Sequence, residues 1–434
     1  MKKSFLLNIF FFIASIAFNQ NITEDQKNYQ FTLEDCINYA VSNSYTLQSY
    51  GLNQESVEAG LRQARQLRLP SVSASMGESF SNSKSGTVWN GNASIGADMI
   101  LYQGGNINNQ IAQNKLLTEQ AEYQTQQYTN SLTLSILQAF LTVLSNEELL
   151  KNQEKLIETT EQQMLQGKVQ YDAGQILESD YLLLKAQYAS DLSNITDSRI
   201  SRDNSILNLK ILLSMNPLDN LHIIYPDTTA LIQMAELPGL DSVINRTYAT
   251  YPDLKLSQSS IEMSQLYIKS AQSSYYPSLS LSAGVSTGHN PDFNEFGNQL
   301  SNKLSENISL NLKIPIYSNS QTKTKVYQNK IALQQSELDF KQKELDILQT
   351  VTQNYQNVVS YYNKYEASQT KEQAYLESFN AYNAMYNAGA ITVVELLQQQ
   401  NNYLNALNDY IQNKYSFILM RKLLDVYMGI PVKI

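Results

Sequence analysis

The tetrapeptide Tyr171-Asp172-Ala173-Gly174 returns 215 residues later (389 − 174) as Tyr386-Asn387-Ala388-Gly389. Each copy closes a long helical pattern, and after each a new one begins. Asp180 and Glu395 both stand six residues past the glycine, and each is followed two positions on by leucine, Leu182 and Leu397. A glycine at the C′ position takes the left-handed conformation that ends a helix without a Cβ clash. Thr392-Val393-Val394-Glu395 then has the spacing of a capping box that opens the next helix. The chain therefore folds back on itself twice, and the repetition describes one architecture of duplicated halves rather than a string of unrelated domains.

Only 16% of the 434 residues are charged, beside 29 tyrosines, 16 glycines and 9 prolines, which fits polar but weakly charged helices and not a disordered chain. The net charge of −9 comes without any basic stripe, so no nucleic-acid partner is expected. Met1-Lys2-Lys3 and the apolar run from Phe5 to Phe18, with Ser15 and Ala17 as small residues before a cleavage point, predict a signal peptide over 1–17. A membrane-anchoring helix needs about 20 apolar residues, and polar Asn19, Gln20 and Asn21 arrive too soon. No later segment is long and apolar enough to span as a helix. Cys36, the single cysteine, lies well past the apolar run, so it is neither a lipid attachment site nor half of an intrachain disulfide. A small buried side chain is the expectation there.

Two repeats are predicted, 18–230 and 231–434. In the first, residues 31–69 read as one helix, with Leu33, Ile37, Ala40 and Val41 on one face, stopped by Pro70. A strand pair follows over 71–102: Ser71 to Met76 alternates with period 2, and Ala93, Ile95, Ala97, Met99 and Leu101 face away from Ser94, Gly96 and Asp98. The Gly/Ser/Asn-rich interval 82–91, which holds the single Trp89, reads as a hairpin loop. A helix of about 60 residues over 105–166 would be about 90 Å long. A return helix runs from Glu178 to Met215, and 218–239 reads as an irregular connector. The second repeat replays this order. Tyr276-Pro277-Ser278 matches Leu69-Pro70-Ser71 at an offset of 207 (277 − 70), and a strand pair is expected over 278–317. The loop 288–303 between its strands is longer than its counterpart. Along the next long helix, Ile331, Leu338 and Leu345 recur at sevens, with Leu348, Tyr355 and Tyr362 three positions round, which predicts a coiled-coil seam.

Each strand pair has one apolar and one small or polar face over about ten residues, the length of a tilted membrane-spanning strand. A soluble half-buried sheet would alternate too. If the strands do lie in lipid, four cannot close a barrel and open edges are forbidden, so other copies of the chain must complete them. A polar face carrying Asp98, Asn307, Asn311 and Lys313 is costly to bury unless it lines water. The long helices could form a hollow tube or a solid stalk, and heptads alone do not choose. An exported coiled-coil structural or surface stalk without a pore is thus the alternative to a channel. No chemistry competes with these two readings: His222 and His289 fall in the connector and in an expected external loop, without metal spacing, and no phosphate loop or nucleophile elbow follows a strand. Neither an enzyme, a metal nor a cofactor is expected.

Over essentially the whole mature chain these features resemble the TolC family of outer-membrane efflux and secretion channels of Gram-negative bacteria. The turns are the most specific part: a glycine, then a Thr/Ser cap, then an acidic residue six past the glycine and a following Leu or Val. The resemblance implies a fold that is mainly α with membrane β. Duplicated halves of long coiled-coil helices and four strands per chain would build a homotrimer with a twelve-stranded β-barrel in the outer-membrane lipid and an α-helical barrel across the periplasm. It implies a passive exit duct for a tripartite efflux or type I secretion system, fed by an inner-membrane pump through a periplasmic adaptor. The adaptor-contacting tip would be Gly174, Gln175, Ile176 and Leu177 with Gly389, Ala390, Ile391 and Thr392. The family closes its tip at rest with a tyrosine and an acidic residue, matched by Tyr386 and Asp180, and an arginine whose position here is Ile391. A second acidic position matches Glu395, but a further one is Gln398. The implied gate therefore rests on Tyr386 hydrogen bonding and apolar contact rather than on an ion-pair network.

Overall fold

The computed structural model describes residues 27–84, 86–225, 237–289 and 304–432. The expected signal peptide and nearly all of the loop 288–303 lie outside the described residues. The first half contains β1 (Asn28–Phe31), α1 (Leu33–Asn43), α2 (Tyr45–Gln66), β2 (Ser71–Ser83), β3 (Gly86–Gln103), α3 (Asn106–Asp172) and α4 (Glu178–Leu212). β4 (Asn220–Ile223) follows at the end of the first repeat, and the second contains α5 (Leu240–Thr250), α6 (Pro252–Ser273), β5 (Ser278–His289), β6 (Ser305–Lys313), α7 (Gln321–Asn387) and α8 (Val393–Tyr427). Helices of 11, 22, 67 and 35 residues in the first half recur at 11, 22, 67 and 35 in the second. At 1.5 Å per residue the two 67-residue helices are each about 100 Å long.

The single helix expected over 31–69 is two helices. Ser44 is extended, with ψ at 117°; its N–H closes α1 on the Ala40 carbonyl and its side chain accepts from the Leu47 N–H at 3.3 Å to open α2. One serine serves as both caps. Pro252 makes the matching break before α6, where a missing N–H costs nothing at the first helical position. The connector 218–239 is also corrected, because β4 lies in it and pairs in parallel with β1, matching Asn28 to Asn220 and Phe31 to Ile223. A four-residue strand leaves too short an alternation to see in sequence, and its parallel partner begins 192 residues earlier (220 − 28).

The other four strands form one antiparallel sheet in the order β2-β3-β5-β6, so each half contributes a hairpin and β3 pairs with β5 across the halves. The loop expected over 82–91 is shorter, because Asn82, Ser83 and Gly86 to Gly91 are paired strand residues. Strand pairing runs through Asn82 opposite Thr87 and sets Phe80 against Trp89, whose indole N–H donates to Glu78 Oε2 at 2.8 Å. Cross-strand aromatic pairing and β-forming Thr87-Val88-Trp89 outweigh the turn-like composition. His289, expected in an external loop, is the last residue of β5, buried against Glu78 at 3.0 Å.

The two faces of this sheet differ in character, although Glu78, His289 and Glu306 lie on the same side as the apolar residues. Val72, Met76, Ile95, Val285, Ile308, Leu310 and Leu312 form an exposed apolar face, with Met76 at 84% and Ile308 at 82% exposure. Opposite them run serines and asparagines, among them Ser75 and Ser94 with hydroxyls 2.8 Å apart and Ser282 donating to Asp98 Oδ1 at 2.6 Å. β2 and β6 each pair on one side only.

Three cores run along the helices. The first joins Leu33, Cys36 and Ala40 of α1 to Leu137, Phe140 and Leu144 of α3, Leu209 of α4 and Ile411 and Ile418 of α8. Cys36 is fully buried there, as its position suggested. The second joins Val243, Leu254, Val351, Val358, Phe417 and Leu424 across α5 to α8. The third, at the far end of the long hairpins, holds Leu156, Leu184, Phe379, Tyr386, Val393 and Leu396. α8 enters all three. The expected heptad seam holds in part: Tyr355 and Tyr362 pack half-buried on the second core, but Ile331, Leu338 and Leu345 are exposed, Leu338 at 64%, and the seam that α7 buries holds Val351, Val358, Tyr365, Phe379 and Tyr386. Both stripes recur at sevens, and spacing alone does not say which one meets a partner in the same chain. Leu144→Ala is expected to lower unfolding stability by about 2–5 kcal/mol, through lost transfer energy and the cavity left, as followed by helical circular dichroism in denaturant.

Candidate functional site at the hairpin tips

Both turns close in the same way. Gly174 and Gly389 each have φ of 71°. In the first turn, the Gly174 N–H donates to the Tyr171 carbonyl at 2.9 Å and the Gln175 N–H to the Gln170 carbonyl at 2.8 Å; in the second, Gly389 and Ala390 donate to Tyr386 and Met385, both at 2.9 Å. These are Schellman closures, in which the orphan carbonyls of the helix end are satisfied by the two residues that follow. A Cβ at either glycine would meet nothing within 4 Å, so the backbone conformation and not crowding selects glycine.

The helices that start after the turns are opened differently. Thr392 and Glu395 form a full capping box: the Glu395 N–H donates to Thr392 Oγ1 at 3.3 Å, and the Thr392 N–H donates to Glu395 Oε2 at 2.8 Å. Those bonds, the backbone one foremost and the hydroxyl second, hold the Glu395 carboxyl below its usual range. Glu395 is thus engaged in opening its own helix. At the matching position Leu177 makes no side-chain cap and is 70% exposed, leaving Glu178 and Asp180 to face the positive end of α4.

Tyr386 and Asp180 are brought together within one protomer. Tyr386 is 4% exposed among Leu156, Leu184, Phe379, Val393 and Leu396, and its hydroxyl reaches Gln170 Oε1 of α3 at 3.4 Å. Burial, and then the Asp180 carboxylate, push that hydroxyl's pKa up. Ile391, in the place of an arginine, packs half-buried against the same core. Of the other tip residues, Gly174, Gln175, Gly389, Ala390 and Thr392 are exposed and Ile176 is half-buried. Around them stand exposed Val169, Leu182, Met385 and Val394.

Several contributors escaped sequence reasoning. Gly167 lies inside α3, where a side chain would run into Leu184, so it lets α3 and α4 approach closely. Tyr171 and Tyr181 stack with ring centroids 5.7 Å apart, and Lys168 pairs with Asp172 at 3.1 Å beside them. Gln170, Gln163 and Asn383 tie the two hairpins by side-chain amides, with Gln163 Nε2 donating to Asn383 Oδ1 at 2.8 Å. Glycine in the middle of a helical pattern was the one visible signal among these.

The sequence matches the family described as outer membrane efflux protein over residues 36–214 and 243–429. The chain belongs to the outer membrane efflux protein family. Its fold is similar to that of CusC, described for transmembrane channel formation, with a TM-score of 0.81 at 18% identity, covering 96% of each chain. It is also similar to the CmeC outer membrane channel of Campylobacter jejuni, with a TM-score of 0.74 at 17% identity over 92% of this chain and 85% of that one. The outer membrane protein VceC of Vibrio cholerae gives 0.76 at 13% identity over 92% and 97%. No curated protein matches the sequence.

Within this family member, no helix among the described residues is long and apolar enough to cross a membrane. The described residues contain no group of three or more His, Cys, Asp or Glu placed to hold a metal ion. The tip is held by helix caps, side-chain amides, the Lys168–Asp172 pair and apolar contact. Thr392→Ala should reduce hydrogen-exchange protection of the first turn of α8 by about 1 kcal/mol, while Leu177→Ser should add protection to α4. Because the Glu395 carboxyl is depressed, its contribution is full above the ordinary carboxylate range. Protection of that turn should fade as pH falls below about 4.

Proposed function

We propose that the chain is one protomer of a homotrimeric outer-membrane exit duct, which passively conducts substrates delivered by an inner-membrane pump through a periplasmic adaptor. The observation that carries this reading is the four-stranded sheet. It has an apolar face with exposed Met76, Ile95, Ile308, Leu310 and Leu312, a Ser/Asn face behind it and, among the described residues, two edges without a partner strand. In lipid an unpaired edge costs several kcal/mol per backbone group, so β2 of one copy must pair with β6 of the next. Three copies then supply twelve strands, with the apolar face toward outer-membrane lipid and the serine face toward water. The long helices extend the duct across the periplasm as a helical barrel. A stalk without a pore leaves the exposed face of Met76 and Ile308 unexplained, because a soluble surface does not keep so contiguous an apolar patch.

In this reading 1–17 is a signal peptide and the two repeats span 18–230 and 231–434. Gly174, Gln175, Ile176, Leu177, Gly389, Ala390, Ile391 and Thr392 form the surface that meets the adaptor. Exposed Leu177 and Val394 give that surface its apolar character. Tyr386, Asp180, Glu395 and Ile391 form the resting closure. Tyr386 acts from within the protomer, holding α7 on α3 through Gln170, and Glu395 acts by shaping the turn.

The purified protein should require detergent, run as a heat-dissociable trimer and form pores in planar bilayers. A chain that stays soluble and monomeric without detergent overturns the reading. Asp180→Ala with Tyr386→Phe should leave the trimer intact and raise resting conductance severalfold; unchanged conductance would mean that these residues are caps and packing only.

A further inference from the structure

Further along the hairpins than the turn itself, α3, α4 and α8 meet in a buried polar layer. Asp191 of α4, 6% exposed, accepts from Thr160 Oγ1 of α3 at 2.9 Å, from Gln187 Nε2 of its own helix at 2.8 Å and from Gln400 Nε2 of α8 at 3.0 Å. Asp191 stands 13 residues into its helix from Glu178 (191 − 178), roughly 20 Å from the turn. Gln400 is the member of this layer that comes from the second hairpin, seven residues after Val393 and seven before Leu407 in the buried seam of α8. Its amide is thus a direct link between the two hairpins.

Everything that touches this carboxylate is neutral. The nearest titratable positions on the packed helices are Lys155, Glu158 and Glu161 on α3 and Lys185 on α4, all exposed, and half-buried Tyr188 on α4 and Tyr403 on α8. On α7, Glu372 acts on Tyr403 and not on Asp191. Only burial, which raises the Asp191 pKa, and the three hydrogen bonds, which lower it, set its titration, and burial wins. A buried carboxylate is usually paired with a cation. This one has none.

The layer is instead equipped for a proton. The Thr160 hydroxyl has one hydrogen and two acceptors in reach, Asp191 Oδ2 at 2.9 Å and the Leu156 carbonyl at 3.2 Å. When Asp191 is ionised the hydroxyl donates to it. With a proton on Oδ2, the acid donates to Thr160 Oγ1 and the hydroxyl turns to Leu156, so no donor is stranded. A proton on Asp191 therefore adds a hydrogen to the layer without stranding the Thr160 donor, because the Leu156 carbonyl is its second acceptor.

We propose that Asp191 is a proton-binding site in the layer that holds the two hairpins together near the tips, and that its ionisation favours their separation. The sign follows from linkage. The packed layer holds the proton more tightly than an arrangement in which water reaches Asp191. Stabilisation by the proton is thus full below the ordinary carboxylate pKa and is lost as pH rises through the raised one. Acid keeps the hairpins clasped, and less acid loosens them.

The conductance arm of the test rests on the channel reading; an infrared arm does not. In the full-length protein, a protonated-carboxyl C=O band is expected to persist above about pH 4.5, the ordinary carboxylate range, and to be absent from Asp191→Asn. No Asn-sensitive band above that pH overturns the site, whether or not pores form. Gln400→Leu removes a bond that favours the anion, so it should move the midpoint upward by about one pH unit; an unmoved midpoint counts against the assignment and does not depend on the Asn variant folding. In bilayers, wild-type resting conductance should rise with pH, the closed-to-open ratio changing up to about tenfold per pH unit for each linked proton, while Asp191→Asn stays at the low-pH level. Identical pH profiles in the two proteins overturn the coupling to the hairpins.

Discussion

The architecture depends on the buried seam of α8. Val393, Leu396, Gln400, Leu407, Lys414, Phe417 and Leu424 recur at spacings of three, four and seven residues along it, and every one of them is buried. Through this stripe one helix contributes to all three cores and touches both hairpins, so the two halves of a duplicated chain are packed as one body. An apolar stripe alone would allow the helices to slide by a heptad. Two polar side chains in the seam prevent that: Gln400 bonds to Asp191, and Lys414 pairs with Glu148 at 2.9 Å, where Tyr415 also donates at 2.7 Å. Such layers sacrifice stability relative to apolar residues and fix register, because a shifted register leaves each of them buried without its partner.

The sheet follows a different physical rule at the other end of the molecule. Its apolar side chains point outward and its serines inward, the reverse of a soluble sandwich, and the sheet is left with edges that only another strand can satisfy. The helices bury three shared cores within one chain, whereas β2 and β6 of the sheet each pair on one side only among the described residues. Membership in the outer membrane efflux protein family and the exposed face of Met76 and Ile308 point the same way.

Much of this was legible from local pattern. The glycine turns, the Thr392 capping box and the four long strands all rest on residues within a few positions of one another, and there propensity and structure agree. Errors came where a competing local signal was weaker than a distant contact. The break at Ser44 looks like any serine within a helical run until its two hydrogen bonds are seen. The 82–91 segment has a loop's composition but a strand's partners, Phe80 against Trp89. The tip was legible in its turns and not in its interior: Tyr386 was found from its place in the repeat, but Gln170, Gly167 and the Asp191 layer lie on helix faces with no signature of their own.

The sequence by itself determined that the chain is duplicated, that its helices are very long, where they turn and which strands alternate, because those properties are written in spacings of two, three, four and seven residues. The tertiary structure decided which of two equally spaced heptad stripes is the buried seam, that Tyr386 lies within the protomer's own core, and that Asp191 meets Gln400 across 209 residues of chain. The physical reason is that periodicity fixes the face of a helix a residue occupies but not what the face is turned toward. Burial, and with it the titration of a carboxylate, depends on that orientation.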